Sequence, residues 1–339
     1  MTETKDLQTR RQLAMVMDLN KCIGCQTCTL ACKTQWTNRN GREGMYWNNV
    51  ETQPGQGYPR GYDKMGGGFD EQGRLRAGRQ PTVEDYGVPF DYDLGQLVDG
   101  GDVPPWTRPS VRPTNGPNWD EDHGAGSYPN SYHFYLPRLC NHCTHPACLE
   151  ACPRKAIYKR PEDGIVLIDQ ARCRGNGHCI EACPYKKIYF NELTSRSEKC
   201  VFCYPRIEKG LPPACARQCV GRIRFVGYRD DPEGPIHKLV DQFKVALPLH
   251  AEWGTMPNVF YVPPLSPAAF EADGTVSSKM RIPTEYLESL FGPRVEEVLA
   301  LLQQERRKKA AGEKSELMDL LIGYEHAKFF RLARGTQPA

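Results

Sequence analysis

The sequence predicts an α+β chain: two nested cysteine-rich units, a long Gly/Pro-rich insertion, and a C-terminal strap with helices. Three observations predict it. All fifteen cysteines fall into four tight groups. Short strand-like runs recur at fixed places around those groups, as in an internal repeat. Between Thr37 and Ser131 lie 95 residues without a cysteine, holding 17 of the 31 glycines and 10 of the 28 prolines. The 339 residues suffice for a real core and for two or three domains. With 44 basic against 41 acidic residues the net charge is +3, too balanced for a nucleic-acid footprint.

Taken in chain order, Thr9, Arg10, Arg11, Gln12 and Leu13 look faintly like a twin-arginine export signal. The apolar run from Leu13 to Met17 stops at Asp18, short of the about 7 to 15 residues of a signal-peptide core. A basic tail entering a strand is the expectation. Met15-Val16-Met17-Asp18 puts an aspartate four residues before Cys22, and Val166-Leu167-Ile168-Asp169 repeats that offset before Cys173. The first group is Cys22, Cys25, Cys28 and Cys32. The second is Cys140, Cys143, Cys148 and Cys152; the third is Cys173, Cys179 and Cys183; the fourth is Cys200, Cys203, Cys215 and Cys219. Pro146-Ala147-Cys148 matches Pro213-Ala214-Cys215, and strands are predicted after each, at Ala156-Ile157-Tyr158 and Ile223-Arg224-Phe225-Val226.

The insertion carries Gly66-Gly67-Gly68 and the aromatics Tyr46, Trp47, Trp106 and Trp119. Disordered linkers lack such aromatics, so an ordered arm lying against a partner is expected. Leu247 to Pro267 reads as an extended, proline-punctuated strap. Val295, Val298, Leu299 and Leu302, then Leu317, Leu320, Leu321 and Tyr324, recur at helical spacing, with Ser315 as N-cap of the second run. The basic run Arg306 to Lys309 reads as a solvated helix end. No stretch approaches the about 18 to 20 apolar residues of a membrane span.

The chemistry lies in the cysteines. Gaps of two and three residues suit joint metal ligation better than paired disulfides. The C-x2-C-x2-C-x3-C run of the first group is the iron–sulfur pattern, and so is the Cys-Pro ending at Cys152 and Cys183. In two-cluster ferredoxins the fourth cysteine of each run ligates the other cluster. Pairing groups two and three, and then one and four, gives two ferredoxin-like domains. Residues 1–36 plus 190–232 would hold two 4Fe–4S clusters, on Cys22, Cys25, Cys28 and Cys219 and on Cys32, Cys200, Cys203 and Cys215. Residues 132–189 would hold a third, on Cys140, Cys143, Cys148 and Cys183. Only Cys152, Cys173 and Cys179 remain for the fourth, because Asn176 stands where regular spacing calls for a cysteine. A neutral amide replaces thiolate poorly, so a 3Fe–4S cluster is expected there. The insertion is bounded at 37–131 and the strap with its helices at 233–339.

A zinc-binding interaction module is the remote rival, since C-x2-C pairs also bind zinc, but four ligands from one stretch fit it badly. His142, His145 and His178 are expected to donate hydrogen bonds or to line the surface, with ligation by His178 a minor alternative. No nucleophile–base pair, phosphate loop or flavin motif is present, so the chain is expected to conduct electrons without a catalytic site of its own.

These residues closely resemble the electron-transfer (beta) subunits of the dimethyl sulfoxide reductase family of molybdenum enzymes. The branch is that of nitrate, selenate and chlorate reductases and of dimethyl sulfide, ethylbenzene and steroid C25 dehydrogenases. The resemblance rests on DLNKCIGCQTCTLACK (18–33), MYWNNVET (45–52), GPNWDED (116–122), YLPRLCNHCTHPACLEACP (135–153) and KVALPLH (244–250). It implies a catalytic alpha subunit with a bis-molybdopterin guanine dinucleotide cofactor and a gamma subunit with haem b. It also implies four clusters in a line, with the Cys22 set nearest molybdenum and the three-iron cluster nearest haem. Export to the periplasm with the alpha subunit, without a signal of its own, is implied too; a cytoplasmic place is the alternative. The stretches EACPRKAIYKR and CPYKKIYFN look most like the C–H hydroxylating members. An ethylbenzene- or steroid-type enzyme is therefore expected, with an oxyanion reductase or dimethyl sulfide dehydrogenase as the alternative.

Overall fold

In the computed structural model, residues 11–86 and 124–332 are described. Trp106, Trp119 and the 116–122 motif lie outside the described residues. Every cysteine group sits between two strands. β1 (Leu13–Asp18) and β2 (Asn48–Gln53) flank the first, β3 (Phe134–Leu139) and β4 (Ile157–Lys159) the second, β5 (Val166–Ile168) and β6 (Ile188–Asn191) the third, and β7 (Arg196–Lys199) and β8 (Arg224–Tyr228) the fourth. Within each unit a short helix carries a cysteine as its second residue: Cys28 in Thr27–Cys32, Cys148 in Ala147–Glu150, Cys179 in His178–Ala182 and Cys215 in Ala214–Arg217. The last cysteine of each group follows four residues later. The repeat expected from the flanking runs is therefore strand, cysteines, helix, cysteine, strand.

The strands pair around a closed circuit. β2 joins β3, β4 joins β5, β6 joins β7, and β8 returns to β1, all antiparallel. The helices associate differently: Thr27–Cys32 packs on Ala214–Arg217, and Ala147–Glu150 on His178–Ala182. Hairpin β6–β7 moves one sequence boundary, because a division at 189/190 falls inside β6. Phe190 and Asn191 continue the ladder begun at Ile188 and Tyr189.

The strap differs from its expected form. Val259–Val262 is an inner strand, β10, buried throughout and parallel to β1 with Met15 opposite Val259. With β9 (Leu247–Pro248) and β13 (Phe330–Arg331) it completes a five-stranded sheet, ordered β13-β8-β1-β10-β9. Four consecutive apolar residues suit a strand covered on both faces, and the prolines at 257 and 263 only bound it. A peripheral hairpin, β11 (Ala268–Phe270) with β12 (Val276–Met280), follows.

Three helices then pack into the core of that sheet. Val295–Ala310 and Glu316–Ile322 occupy the expected places, and the Ser315 hydroxyl accepts the Met318 N–H as an N-cap. Thr284–Phe291 is a further helix that the sequence reading did not include. Tyr324 lies beyond the last helix and is exposed, because Gly323 turns the chain out at φ +64°. Lys308 and Lys309 pair with Glu305 and Asp319 at the helix end. Among the described residues no helix is long and apolar enough to cross a membrane.

The described part of the insertion packs on the chain itself. Met45, Trp47, Tyr58, Tyr62, Met65 and Phe69 are buried in it. The triple glycine makes a close approach: Gly68 donates its N–H to Ala182 O at 2.9 Å, and a Cβ on Gly67 would lie 2.7 Å from that same oxygen. The backbone there has φ of +97° and +76° at Gly67 and Gly68, which glycine adopts without strain. Those aromatics and glycines help build this chain's own core.

Candidate iron–sulfur sites

None of the fifteen cysteines is bridged in a disulfide. The structure brings them together in groups that cross the sequence order. Burial pushes the Cys22 thiol up to about 12, with Cys28 and Cys219 adding to the rise. Cys25 is exposed on the loop before the first helix, with Thr27 Oγ1 3.4 Å from its sulfur. Cys32 is raised by burial and then by Cys200, Cys215 and Cys203. These four thiols line one cavity, together with Met15, Trp36, Trp47 and Asn48. Cys143 is raised by burial and by Cys140 and Cys183, and Cys148 by burial, Cys183 and Cys140. Cys179 is pushed up to about 11 by burial, with Cys152 and Cys173 contributing.

Donor chemistry and geometry both fit iron–sulfur clusters. Among the described residues no three His, Cys, Asp or Glu side chains converge as a single metal ion requires. The sulfurs also receive donors, as buried thiolates need. Trp36 Nε1–H donates to Cys203 Sγ at 3.0 Å, Phe202 N–H to Cys200 at 3.3 Å, Ala156 N–H to Cys152 at 3.3 Å and Ser197 N–H to Cys173 at 3.5 Å. Such bonds favour negative charge on sulfur and tune cluster potential.

Asn176 lies exposed on the loop between Cys173 and the His178–Ala182 helix, flanked by Gly175 and Gly177 at positive φ. His142 Nδ1 accepts the Val166 N–H at 3.1 Å, and burial, with Lys199 and Lys159 nearby, holds the ring well below its usual pKa. His145 stacks on Phe69 at 3.8 Å, and exposed His178 sits 3.3 Å from Glu181.

Sequence reasoning missed a set of buried cations around the thiols. Lys186 donates to Glu181 O at 2.7 Å, and burial pulls it down to about 8 against the opposing pull of Cys183. Lys187 reaches Asn49 Oδ1, and Lys199 donates to Cys200 O at 2.9 Å. Arg224 contacts Cys215. Only the Lys-Lys pair three residues after Cys183 offered a local signal.

Two family models match the chain: a 4Fe-4S binding domain over residues 13–34 and a 4Fe-4S dicluster domain over 131–229. The chain is 64% identical to the dimethylsulfide dehydrogenase subunit beta of Rhodovulum sulfidophilum, covering 96% of this chain and 99% of that one. It is 60% identical to the selenate reductase subunit beta of Thauera selenatis, with 93% and 97% covered. It is 59% identical to the chlorate reductase subunit beta of Ideonella dechloratans, with the same coverage. With two 4Fe-4S family models matched and relatives aligned nearly end to end, the chain belongs to the iron–sulfur, electron-transferring beta subunits of the dimethyl sulfoxide reductase family of molybdenum enzymes.

Proposed function

We propose that this chain relays electrons along a row of three 4Fe–4S clusters and one 3Fe–4S cluster in a dimethyl sulfide dehydrogenase or oxyanion reductase complex. The row would run between a molybdenum-bearing alpha subunit and a haem b gamma subunit. When bound, the clusters supply one-electron transfer; the polypeptide holds them in order and insulates them. The observation that carries the reading is the succession of neighbours between sets. Cys215 of the second set lies in the field of Cys28 of the first, Cys200 of the second in that of Cys140 of the third, and Cys179 of the fourth in that of Cys183 of the third. Each set thus lies within electrostatic reach of the next, which supports a line and two nested two-cluster domains with the ligand sets named above.

Exposed Ile23, Leu30 and Val220, at 61%, 56% and 64%, surround the first cage and support docking of the alpha subunit there. The relatives named above are beta subunits of a dimethylsulfide dehydrogenase, a selenate reductase and a chlorate reductase, which favours a complex of that kind over the ethylbenzene- or steroid-type hydroxylase that short stretches pointed to. Periplasmic placement with the alpha subunit is part of the proposal.

The test is to purify the complex anaerobically, measure iron and sulfide, identify the catalytic subunit, and assay dimethyl sulfide, selenate, chlorate, nitrate and ethylbenzene. Turnover of one of the first four, with haem reduced or oxidised through the chain, is the expected result. Turnover of ethylbenzene alone would overturn the choice of a dimethyl sulfide dehydrogenase or oxyanion reductase, and absence of iron would overturn the relay.

A further inference from the structure

We infer that Arg224 is the shared counter-cation of the first and second cages and raises the reduction potentials of both. It opens β8, opposite Met17 of β1, where the fourth cysteine unit closes onto the first. The residue is 1% exposed. Nη2–H donates to Asn48 Oδ1 at 2.8 Å, while Nη1 lies 3.6 Å from Cys215 Sγ and 3.5 Å from Met15 Sδ. Nε is buried without a partner. Asn48, Met15 and Cys215 all line the second cage. Arg224 stands five residues past Cys219 on the strand that pairs with β1, whose chain runs on into Cys22, and its charge also acts on Cys28, Cys219 and Cys22 of the first.

Among the described residues no carboxylate pairs with it. Arg138, the other large buried arginine, differs in having Glu51 at 2.8 Å. A buried cation with one amide acceptor and no acid is strongly unfavourable by itself. Thiolate-ligated clusters are net anionic, and two of them flanking the guanidinium supply the missing counter-charge. Reduction adds one electron to a cluster, and a fixed positive charge a few ångströms away favours that state. No proton needs to move, because guanidinium does not titrate in proteins.

The inference rests on the ligand sets proposed above. Its test is a redox titration followed by EPR on the whole complex, comparing wild type with Arg224→Lys and Arg224→Gln. In Arg224→Gln the first and second clusters should each show about a tenfold lower reduced-to-oxidised ratio at fixed ambient potential, about 59 mV for one electron. The third and fourth should keep their wild-type values, and Arg224→Lys should stay near wild type throughout. Equal behaviour of the two variants, a shift confined to one cluster, or a uniform shift of all four would overturn it. If Arg224→Gln does not assemble, Arg224→Lys decides: assembly with both potentials kept supports the charge, and a fall like that predicted for Gln refutes it. Absence of 4Fe–4S signals from wild type would overturn the ligand sets as well.

Discussion

Replacing Glu51 by Ala should unhinge the insertion from the cages at a cost that the structure fixes. Arg138 on β3 points its Nε–H at Glu51 Oε1, 2.8 Å away on β2, with both side chains almost wholly buried. The same oxygen accepts Asn49 Nδ2–H at 2.8 Å and the Tyr58 N–H at 2.9 Å. The guanidinium also donates to Tyr58 O at 2.6 Å and to Tyr185 O at 3.2 Å, two residues past Cys183, and it lies over the Tyr62 ring. Removing the carboxylate strands a buried cation and two donors, which costs about 3–5 kcal/mol. With a urea dependence near 3 kcal/mol per molar, the midpoint should fall by about 1–2 M. Anaerobic urea titration of the iron-loaded protein, followed by circular dichroism and visible absorption, reads it. The double variant Glu51→Leu, Arg138→Met should recover most of the loss, because both charges leave together. A fall of less than about 0.3 M in Glu51→Ala would match an exposed pair worth at most about 1 kcal/mol and would refute the reasoning.

Asn176→Cys should convert the fourth cluster to a four-iron form, with the oxidised three-iron EPR signal lost; its persistence would show that another feature withholds the iron. Trp36→Phe removes the indole donor from Cys203 and should lower the potential of the second cluster alone while iron content stays unchanged. The metal-free chain should lose stability in alkali. Burial raises Cys22 and Cys215 to about 12 and Cys179 to about 11, above the about 8.5 of an unfolded thiol, so the folded state holds these protons more tightly. That stabilisation is complete below about pH 8.5 and disappears as pH climbs through 11 to 12. Denaturation of the chelator-stripped protein from pH 8 to 11 measures it, and a flat profile would contradict it.

What the sequence displayed, and what it hid, divides by distance along the chain. Cysteines two and three residues apart announce a shared cluster without any fold, and the apolar runs beside them mark β1, β4, β5 and β8 within a residue or two. The Ser315 cap was readable for the same reason, since donor and acceptor lie three residues apart. Nothing in the sequence singled out Arg138 or Arg224 as buried cations, because their partners, Glu51 and Asn48, are 87 and 176 residues away. Val259–Val262 looked like part of a strap because its neighbour, β1, lies at the other end of the chain. The closing pair β8–β1 ties these misses together. It brings Cys219 beside Cys22 and places Arg224 opposite Met17, so the same contact completes the first cage and buries a cation with no acid to meet it. A charge placed there is offset more fully when both cages are filled, so cluster insertion and closure of the circuit reinforce each other. Iron-free chain should therefore protect the β8 amides from hydrogen exchange far less than those of β2 and β3, whose buried cation carries its own carboxylate.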